Sequence, residues 1–362
     1  MPALFIDTER LRDLNSGLGQ VCLHLGSELI RQQPADGSFR LTFGVPKGQT
    51  GLFGDQVSYH TTGWVDRIVS KPYDVWHALH QDAHLPPANP LSGKKAKIVL
   101  TVHDLNFLDR PDYSDAKKRR KLAQLQQKIN RAAVVTAISE YTAGVVRQHL
   151  TLRPDQRLKV IYNGLNQRPA NTSAPDFSPP FGEQLGNTPF FLFLGVVHPK
   201  KNCHVLLPLL QAFPDYKLVI AGDDSHDYAQ HIREQAQKIG VAGQLLMTGP
   251  ISEDTKWWLY EHCEAFLFPS LTEGFGLPVI EAMSLGKPVF LSNRTSLPEI
   301  GGFEAVFWEN FEPDYMVETF RQGMMAYYDD TLKADRLRWQ AKRFSWEKAA
   351  RAYWEVYKGL IG

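Results

Sequence analysis

Glu273 and Glu281 bracket a short glycine-bearing stretch, Gly274-Phe275-Gly276-Leu277, with Pro278 just beyond it. A carboxylate repels phosphate but accepts hydrogen bonds from hydroxyls, so the pair suits a ribose or another sugar. The stretch between them suits an anion. It follows an apolar run, Ala265–Phe268, and leads into a helix with Pro278 as its first residue and Glu281 in its first turn. Free backbone N–H groups and the positive end of a helix dipole meet at such a junction. Carboxylates for hydroxyls beside amides for phosphate describe a receptacle for a sugar joined to a nucleoside diphosphate. Lys200 and Lys201 add to it. They follow the run Phe190–Leu194 in Gly195-Val-Val-His-Pro-Lys-Lys-Asn202, and each can set a mobile positive charge against a diphosphate. A leaving nucleoside diphosphate gains charge as its glycosidic bond breaks, so cations there favour the transition state over the ground state.

Other residues could take part. His103 ends the run Ile98-Val-Leu-Thr-Val102, where a histidine can meet a sugar, and the neighbouring Asp104 suits the cap of a turn. Gly17 and Gly19 sit in an expected loop, Asn15–Gly19, after the first strand, where backbone can approach a ligand closely. No full G-x-G-x-x-G accompanies them, which argues against a dinucleotide-binding dehydrogenase. His77, His80 and His84 lack an H-E-x-x-H pattern and read as a loop touching the acceptor. Ser139 fits either a ligand-lining position or a helix N-cap, and Asn163-Gly164 fits a turn. Asp223, Asp224 and Asp227 form an acidic loop without the D-x-D of metal-dependent transferases; they read as structural or as lying beside the base, and no metal is expected.

The elements that must hold these residues alternate. Short apolar runs at Ala3–Ile6, Leu41–Val45, Val75–Ala78, Ala96–Val102, Val134–Ala137 and Leu158–Ile161 are separated by helical or loop segments, including a helix at Gln20–Arg31. That is the pattern of a parallel sheet with crossover helices. Residues 163–189 then carry five prolines and an Asn-Thr-Ser-Ala stretch, as a linker does. A second α/β series follows from Phe190. The division expected is an N-terminal Rossmann-like domain over residues 1–165 on the acceptor side, a linker over 166–189, a nucleotide-sugar-binding Rossmann-like domain over 190–345 and a terminal helix over 346–362.

Composition sets bounds on this reading. At 362 residues the chain is long enough for two α/β domains, and 43% hydrophobic with 22% charged residues is ordinary for a soluble protein. Neither a signal peptide nor a membrane span is expected. Cys22, Cys203 and Cys263 are odd in number and far apart, as reduced thiols in a cytoplasm would be. Residues 1–178 hold 23 Lys and Arg against 16 Asp and Glu, whereas the remainder holds 17 against 23. A basic first half, with Lys117, Lys118, Arg119, Arg120 and Lys121 in one helix, suits a phosphorylated acceptor or an anionic membrane surface. The cluster lacks interleaved aromatics, so no nucleic-acid partner is expected.

Glu273-x7-Glu281, within E-G-F-G-L-P-x-x-E, resembles the signature of the retaining glycosyltransferases of family 4, whose GT-B fold sets two parallel-sheet domains around a central cleft. The resemblance extends over nearly the whole chain. It implies donor binding by Gly17, Gly19, Lys200, Lys201, Gly274, Phe275, Gly276, Leu277 and Glu281, with Glu281 on the ribose. His103, Glu273 and Lys201 would act on the reacting sugar and its phosphate. Many members also carry arginine after the glycine that ends the first strand of the second domain; Val196 stands there instead. The family implies a same-face displacement without metal or cofactor, a nucleoside-diphosphate sugar donor, and a glycan or lipid-linked acceptor in bacterial surface polysaccharide or lipopolysaccharide synthesis. It favours mannose from GDP-mannose over a UDP-sugar, and a cytoplasmic enzyme peripheral to the inner membrane face. It also implies a last helix that crosses back onto the first domain. Competing readings are a GT-B epimerase or phosphorylase, or a silent assembly subunit. The first two want a first-domain carboxylate or a lysine-bound cofactor that the sequence does not reveal, and the intact set of site residues argues against the third.

Overall fold

The computed structural model describes residues 1–34, 39–61, 72–87, 93, 95–166, 168 and 177–361. The chain forms two compact units, Met1–Gly164 with Phe344–Gly362, and Leu165–Arg343.

The first unit is built on seven parallel strands, β1 (Ala3–Asp7), β2 (Arg40–Val45), β3 (Ser58–Thr61), β4 (Val75–Ala78), β5 (Lys97–Val102), β6 (Val134–Ala137) and β7 (Arg157–Val160), in the order β3-β2-β1-β4-β5-β6-β7. Its central strands are buried along their length, as expected when helices cover both faces. The order reverses at β1. The chain runs outward through β2 and β3, then returns to β4 on the other side, so the carboxyl ends of β1 and β4 flank the crevice in which open α/β sheets bind ligands.

The glycines after β1 do not form the expected loop. The helix begins at Gly17, not Gln20, and runs to Arg31, with the Ser16 hydroxyl accepting from Gly19 N at 3.1 Å. Gly17 and Gly19 therefore lie in its first turn. A Cβ at Gly19 would sit 2.0 Å from Asp13 O, so that glycine serves the close packing of the incoming turn. Ser139 is an N-cap, accepting from Thr142 N at the head of the helix Glu140–His149.

The C-terminal helix, Trp346–Ile361, belongs to this unit. Trp354 Nε1 donates to Leu29 O at 3.0 Å. His77 bonds Tyr357 OH through Nδ1 at 2.6 Å and Thr101 Oγ1 through Nε2 at 2.8 Å; Thr101 in turn meets Thr136 and Tyr353. A buried polar network with every member paired fixes one register for the helix.

The second unit has six parallel strands, β8 (Phe190–Leu194), β9 (Lys217–Ala221), β10 (Leu245–Gly249), β11 (Ala265–Phe268), β12 (Val289–Ser292) and β13 (Val306–Trp308), in the order β10-β9-β8-β11-β12-β13. Its reversal falls at β8, so the crevice lies at the ends of β8 and β11. Phe191, Phe193, Phe266, Phe268 and Phe290 point into its core with Trp257, Trp308 and Phe320, each burial contributing about 1.5–3 kcal/mol. Within the stretch expected as a linker, residues 167 and 169–176 lie outside the described residues, and Gly182–Leu185 is a short helix with Leu185 buried.

Candidate functional site

The residues singled out above fall in both units: Lys201 and Glu273 come together at the switch point of the second sheet, whereas among the histidines of the first only His80 stands at the reversal. In the second unit β8 leads through Gly195 into a 3-10 turn, Pro199–Lys201, which His198 caps by accepting from Lys200 N at 3.2 Å. The loop after β11 lies alongside: Leu271 N donates to Lys200 O at 2.8 Å. The two segments so joined bring Lys201 Nζ into an ion pair with Glu273 Oε1, both side chains only 13% exposed. The ammonium also lies 4.9 Å from the centroid of the Phe268 ring. Lys200 is exposed.

The Glu273 loop is held from beneath. Glu273 N donates to Thr295 Oγ1 at 3.0 Å, and the Ser296 hydroxyl is shared between Glu273 O and Phe275 O at 3.1 and 3.0 Å. Thr295 has φ 55°, a left-handed backbone that a β-branched residue adopts only at a cost, of order 1–3 kcal/mol. Sequence patterns carry no signal for this support, since Thr295 and Ser296 resemble any polar turn. Gly276 caps the next helix with φ 111°, a conformation natural to glycine. That helix is Leu277–Ser284, so Pro278 occupies its second position and not its first.

Glu281 consequently lies in the second turn, not the first. Its carboxylate is 3% exposed, and three partners hold it: Asn166 Nδ2 at 2.8 Å, Tyr260 OH at 3.0 Å and Lys256 Nζ at 3.5 Å. Burial pushes its pKa up, opposed by the Lys256 charge and the bonds from Tyr260 and Asn166. A carboxylate offers about four lone-pair sites, so acceptor capacity remains. Asn166, Lys256 and Tyr260 were not anticipated; they come from distant segments, and only the fold brings them together.

The acidic loop is occupied by the protein itself. Asp223 accepts from Ser225 N at 3.0 Å, Asp224 pairs with Arg233 at 2.5 Å, and Asp227 precedes the helix Tyr228–Lys238. Among the described residues, no three His, Cys, Asp or Glu side chains gather as a metal would need.

In the first unit the three histidines of 77–84 separate. His77 lies within β4, bonded into the network under the C-terminal helix, and is not in a loop. Burial drives its pKa down to about 3. His84 is exposed, and His80 follows β4 at the switch point. His103 directly follows β5 and is 4% exposed; its Nε2 donates to Leu79 O at 2.7 Å, and its backbone N donates to Gln81 Oε1 at 2.9 Å. Burial lowers its pKa to about 4, so the ring is neutral with Nδ1 as its acceptor. Asp104 caps a turn, accepting from Asn106 N at 3.0 Å.

Two parallel-sheet units, each with polar side chains at a sheet reversal, define the GT-B class of α/β protein. A family model described as "Glycosyl transferases group 1" matches residues 179–343, and one described as "Glycosyltransferase Family 4" matches residues 51–168. The chain belongs to glycosyltransferase family 4. It is 30% identical over 285 residues to the serotype-specific mannosyltransferase WbdA of Escherichia coli, covering 73% of this chain and 34% of that protein, so it spans about a third of that relative's length. It is 26% identical to the O-antigen chain mannosyltransferase B of Escherichia coli, over 73% of this chain and 71% of that one. It is 30% identical to the GDP-mannose:cellobiosyl-diphosphopolyprenol alpha-mannosyltransferase of Komagataeibacter xylinus, over 57% and 52% respectively. In fold it is similar to Anabaena Alr3699/HepE in complex with UDP-glucose, with TM-score 0.77, 18% identity, and coverage of 99% of this chain and 100% of that one.

Proposed function

We propose that this protein is a retaining, metal-independent glycosyltransferase. It moves mannose from GDP-mannose to a hydroxyl of a glycan or lipid-linked glycan during assembly of a bacterial surface polysaccharide or lipopolysaccharide. The observation that carries the reading is the Lys201–Glu273 pair at the switch point of the second sheet, beside the helix that Gly276 caps. It sets a cation for a diphosphate directly beside an acceptor for a sugar hydroxyl.

On this reading Lys201 and Lys200 neutralise the diphosphate, helped by N–H groups of Gly274–Leu277, and Glu281 accepts from the ribose. As the bond from the anomeric carbon to phosphate oxygen breaks, the phosphate gains negative charge and Lys201 stabilises it. The acceptor oxygen then bonds the same face of that carbon, and its proton passes to the departing phosphate. The mannosyl choice rests on the relatives named above. No helix among the described residues is long and apolar enough to cross a membrane; the helix Asp115–Arg131 would hold the protein to the cytoplasmic face of an anionic bilayer through its basic side chains. The reading is tested by measuring nucleoside diphosphate released from GDP-mannose and from UDP-glucose, with and without a polyprenyl-diphosphate glycan, in excess chelator. Acceptor-dependent release of GDP is expected. Release from neither donor overturns it.

A further inference from the structure

The crevice of the first sheet holds a histidine whose hydrogen bonds are only half used. His80 follows β4 at the switch point and is 6% exposed. Its Nδ1 takes two donors, Asp82 N at 3.1 Å and Arg10 Nη2 at 3.3 Å. An atom accepting from both carries no proton, so the neutral ring holds its hydrogen on Nε2. Burial, His103 and the Arg10 charge keep the ring neutral, with a pKa down to about 2. Among the described residues nothing pairs with Nε2, and it is not one of the fully buried unpaired atoms, so this N–H opens to the surface.

The His103 ring lies 5.4 Å away, centroid to centroid. Its Nε2–H is committed to Leu79 O, which leaves Nδ1 as an acceptor. The two adjacent imidazoles thus offer one donor, His80 Nε2, and one acceptor, His103 Nδ1. Their mounting is stiff: Gln81 bridges Asp104 O and His103 N, and Lys128 Nζ donates to Gln81 O and Ala83 O at 2.8 and 2.9 Å. A hydroxyl is the common ligand group that both accepts and donates. The diphosphate of a nucleotide sugar, esterified at both ends and with no proton to give at neutral pH, meets an unprotonated nitrogen at Nδ1 and is disfavoured.

We propose that His80, together with His103, binds a sugar hydroxyl, with His80 donating through Nε2 and acting as a specificity-determining residue. The assignment rests on the glycosyltransferase reading above. The hydroxyl belongs either to the sugar being transferred or to the acceptor, and the test separates the two.

His80→Phe keeps a ring but removes the donor, whereas His80→Gln keeps an N–H near the Nε2 position. Both lose the Nδ1 acceptor equally, so their difference isolates the donor. With GDP-mannose as donor and methyl α-mannoside as acceptor, His80→Phe should lower transfer at least about tenfold, the cost of one lost hydrogen bond to a hydroxyl. His80→Gln should retain activity within about threefold of wild type, and GDP affinity should be unchanged in both. A parallel fall in hydrolysis of GDP-mannose without acceptor places the hydroxyl on the transferred sugar; a fall in transfer alone places it on the acceptor. Equal activity of the two variants overturns the proposal. A second measurement holds even where a variant unfolds. In imidazole 15N spectra of the wild type, His80 should carry its proton on Nε2, and GDP-mannose or methyl α-mannoside should shift that signal where GDP does not. A proton on Nδ1, or a signal that neither sugar moves, overturns the proposal. Failure of wild type to bind GDP or UDP at all would instead sink the donor-site reading, leaving the tautomer result to stand alone.

Discussion

Lys201 and Glu273 neutralise each other across the switch point of the second sheet, with little water around either side chain. A diphosphate must therefore compete with Glu273 for the ammonium. Glu273→Gln should release Lys201 and remove a neighbouring negative charge, so GDP should bind a few-fold more tightly. Transfer should nonetheless fall by at least about tenfold, since the sugar loses a charged acceptor worth about 1.5–3 kcal/mol. Weaker GDP binding by this variant would mean that Glu273 organises the phosphate site and does not compete for it.

Glu281 has a different relation to the donor. Glu281→Ala leaves Lys256 its nearer partner, Glu253 at 2.7 Å, but takes the acceptor from buried Tyr260 and Asn166, so it should destabilise the second unit by about 1–3 kcal/mol per orphaned group. Glu281→Gln is the informative change. Titrating GDP and its 2′-deoxy form into wild type and Glu281→Gln gives a double-mutant cycle. Coupling of about 1 kcal/mol is expected if carboxylate and ribose hydroxyl meet; strict additivity would separate them.

Acid should loosen the first unit. His77, His80 and His103 have pKa values lowered to about 3, about 2 and about 4, whereas in the unfolded chain each binds a proton below about 6.5. Each thus contributes stability that is present above that value and is lost as pH falls. Asp7 opposes them: burial raises it to about 6, so between about 6 and 3.8 the folded state holds a proton there that the unfolded state lacks. Unfolding near pH 5 should take up about two protons, each changing stability by about 1.4 kcal/mol per pH unit. Calorimetry in buffers of different ionisation heat measures the uptake, and a release of about one proton, that of Asp7 alone, would show these histidines already protonated in the fold.

What the sequence revealed, and what it hid, follows from where each signal resides. The placement of Glu273, Gly276, Lys200 and Lys201 just after strands was legible because their segments follow continuous apolar runs. β8 and β11 were legible because buried parallel strands are continuous apolar runs. β3 was not, since Ser58-Tyr-His-Thr61 is a polar strand at the sheet edge, and β13 has only three residues. Gly17 and Gly19 misled because glycine near Ser16 fits a loop and a capped first turn equally well. The partners of His77 and His80 were out of reach. Three residues apart in sequence, they differ through Tyr357, Arg10 and Asp82, partners that only the fold supplies.

The basic helix Asp115–Arg131 keeps Leu125 and Ile129 in the core, so any membrane contact is electrostatic. Changing Lys117, Lys118, Arg119, Arg120 and Lys121 to glutamine should abolish sedimentation with phosphatidylserine vesicles while leaving transfer to a soluble acceptor intact. Near an anionic surface each charge contributes about 1 kcal/mol, and wild-type binding should weaken steeply with salt as the Debye length drops from about 10 Å at 0.1 M to about 3 Å at 1 M. Equal sedimentation of variant and wild type would leave the cluster as a solvated face.

A second unit that grips a nucleoside diphosphate through Lys201 is tested by titrating GDP and UDP into the protein and into Lys201→Ala. The wild type should bind one of the two in excess chelator. Lys201→Ala should bind it about ten to a hundred times more weakly, the loss of one charge-assisted contact, while its thermal midpoint falls because Glu273 loses its partner. Undiminished binding by Lys201→Ala would place the diphosphate elsewhere.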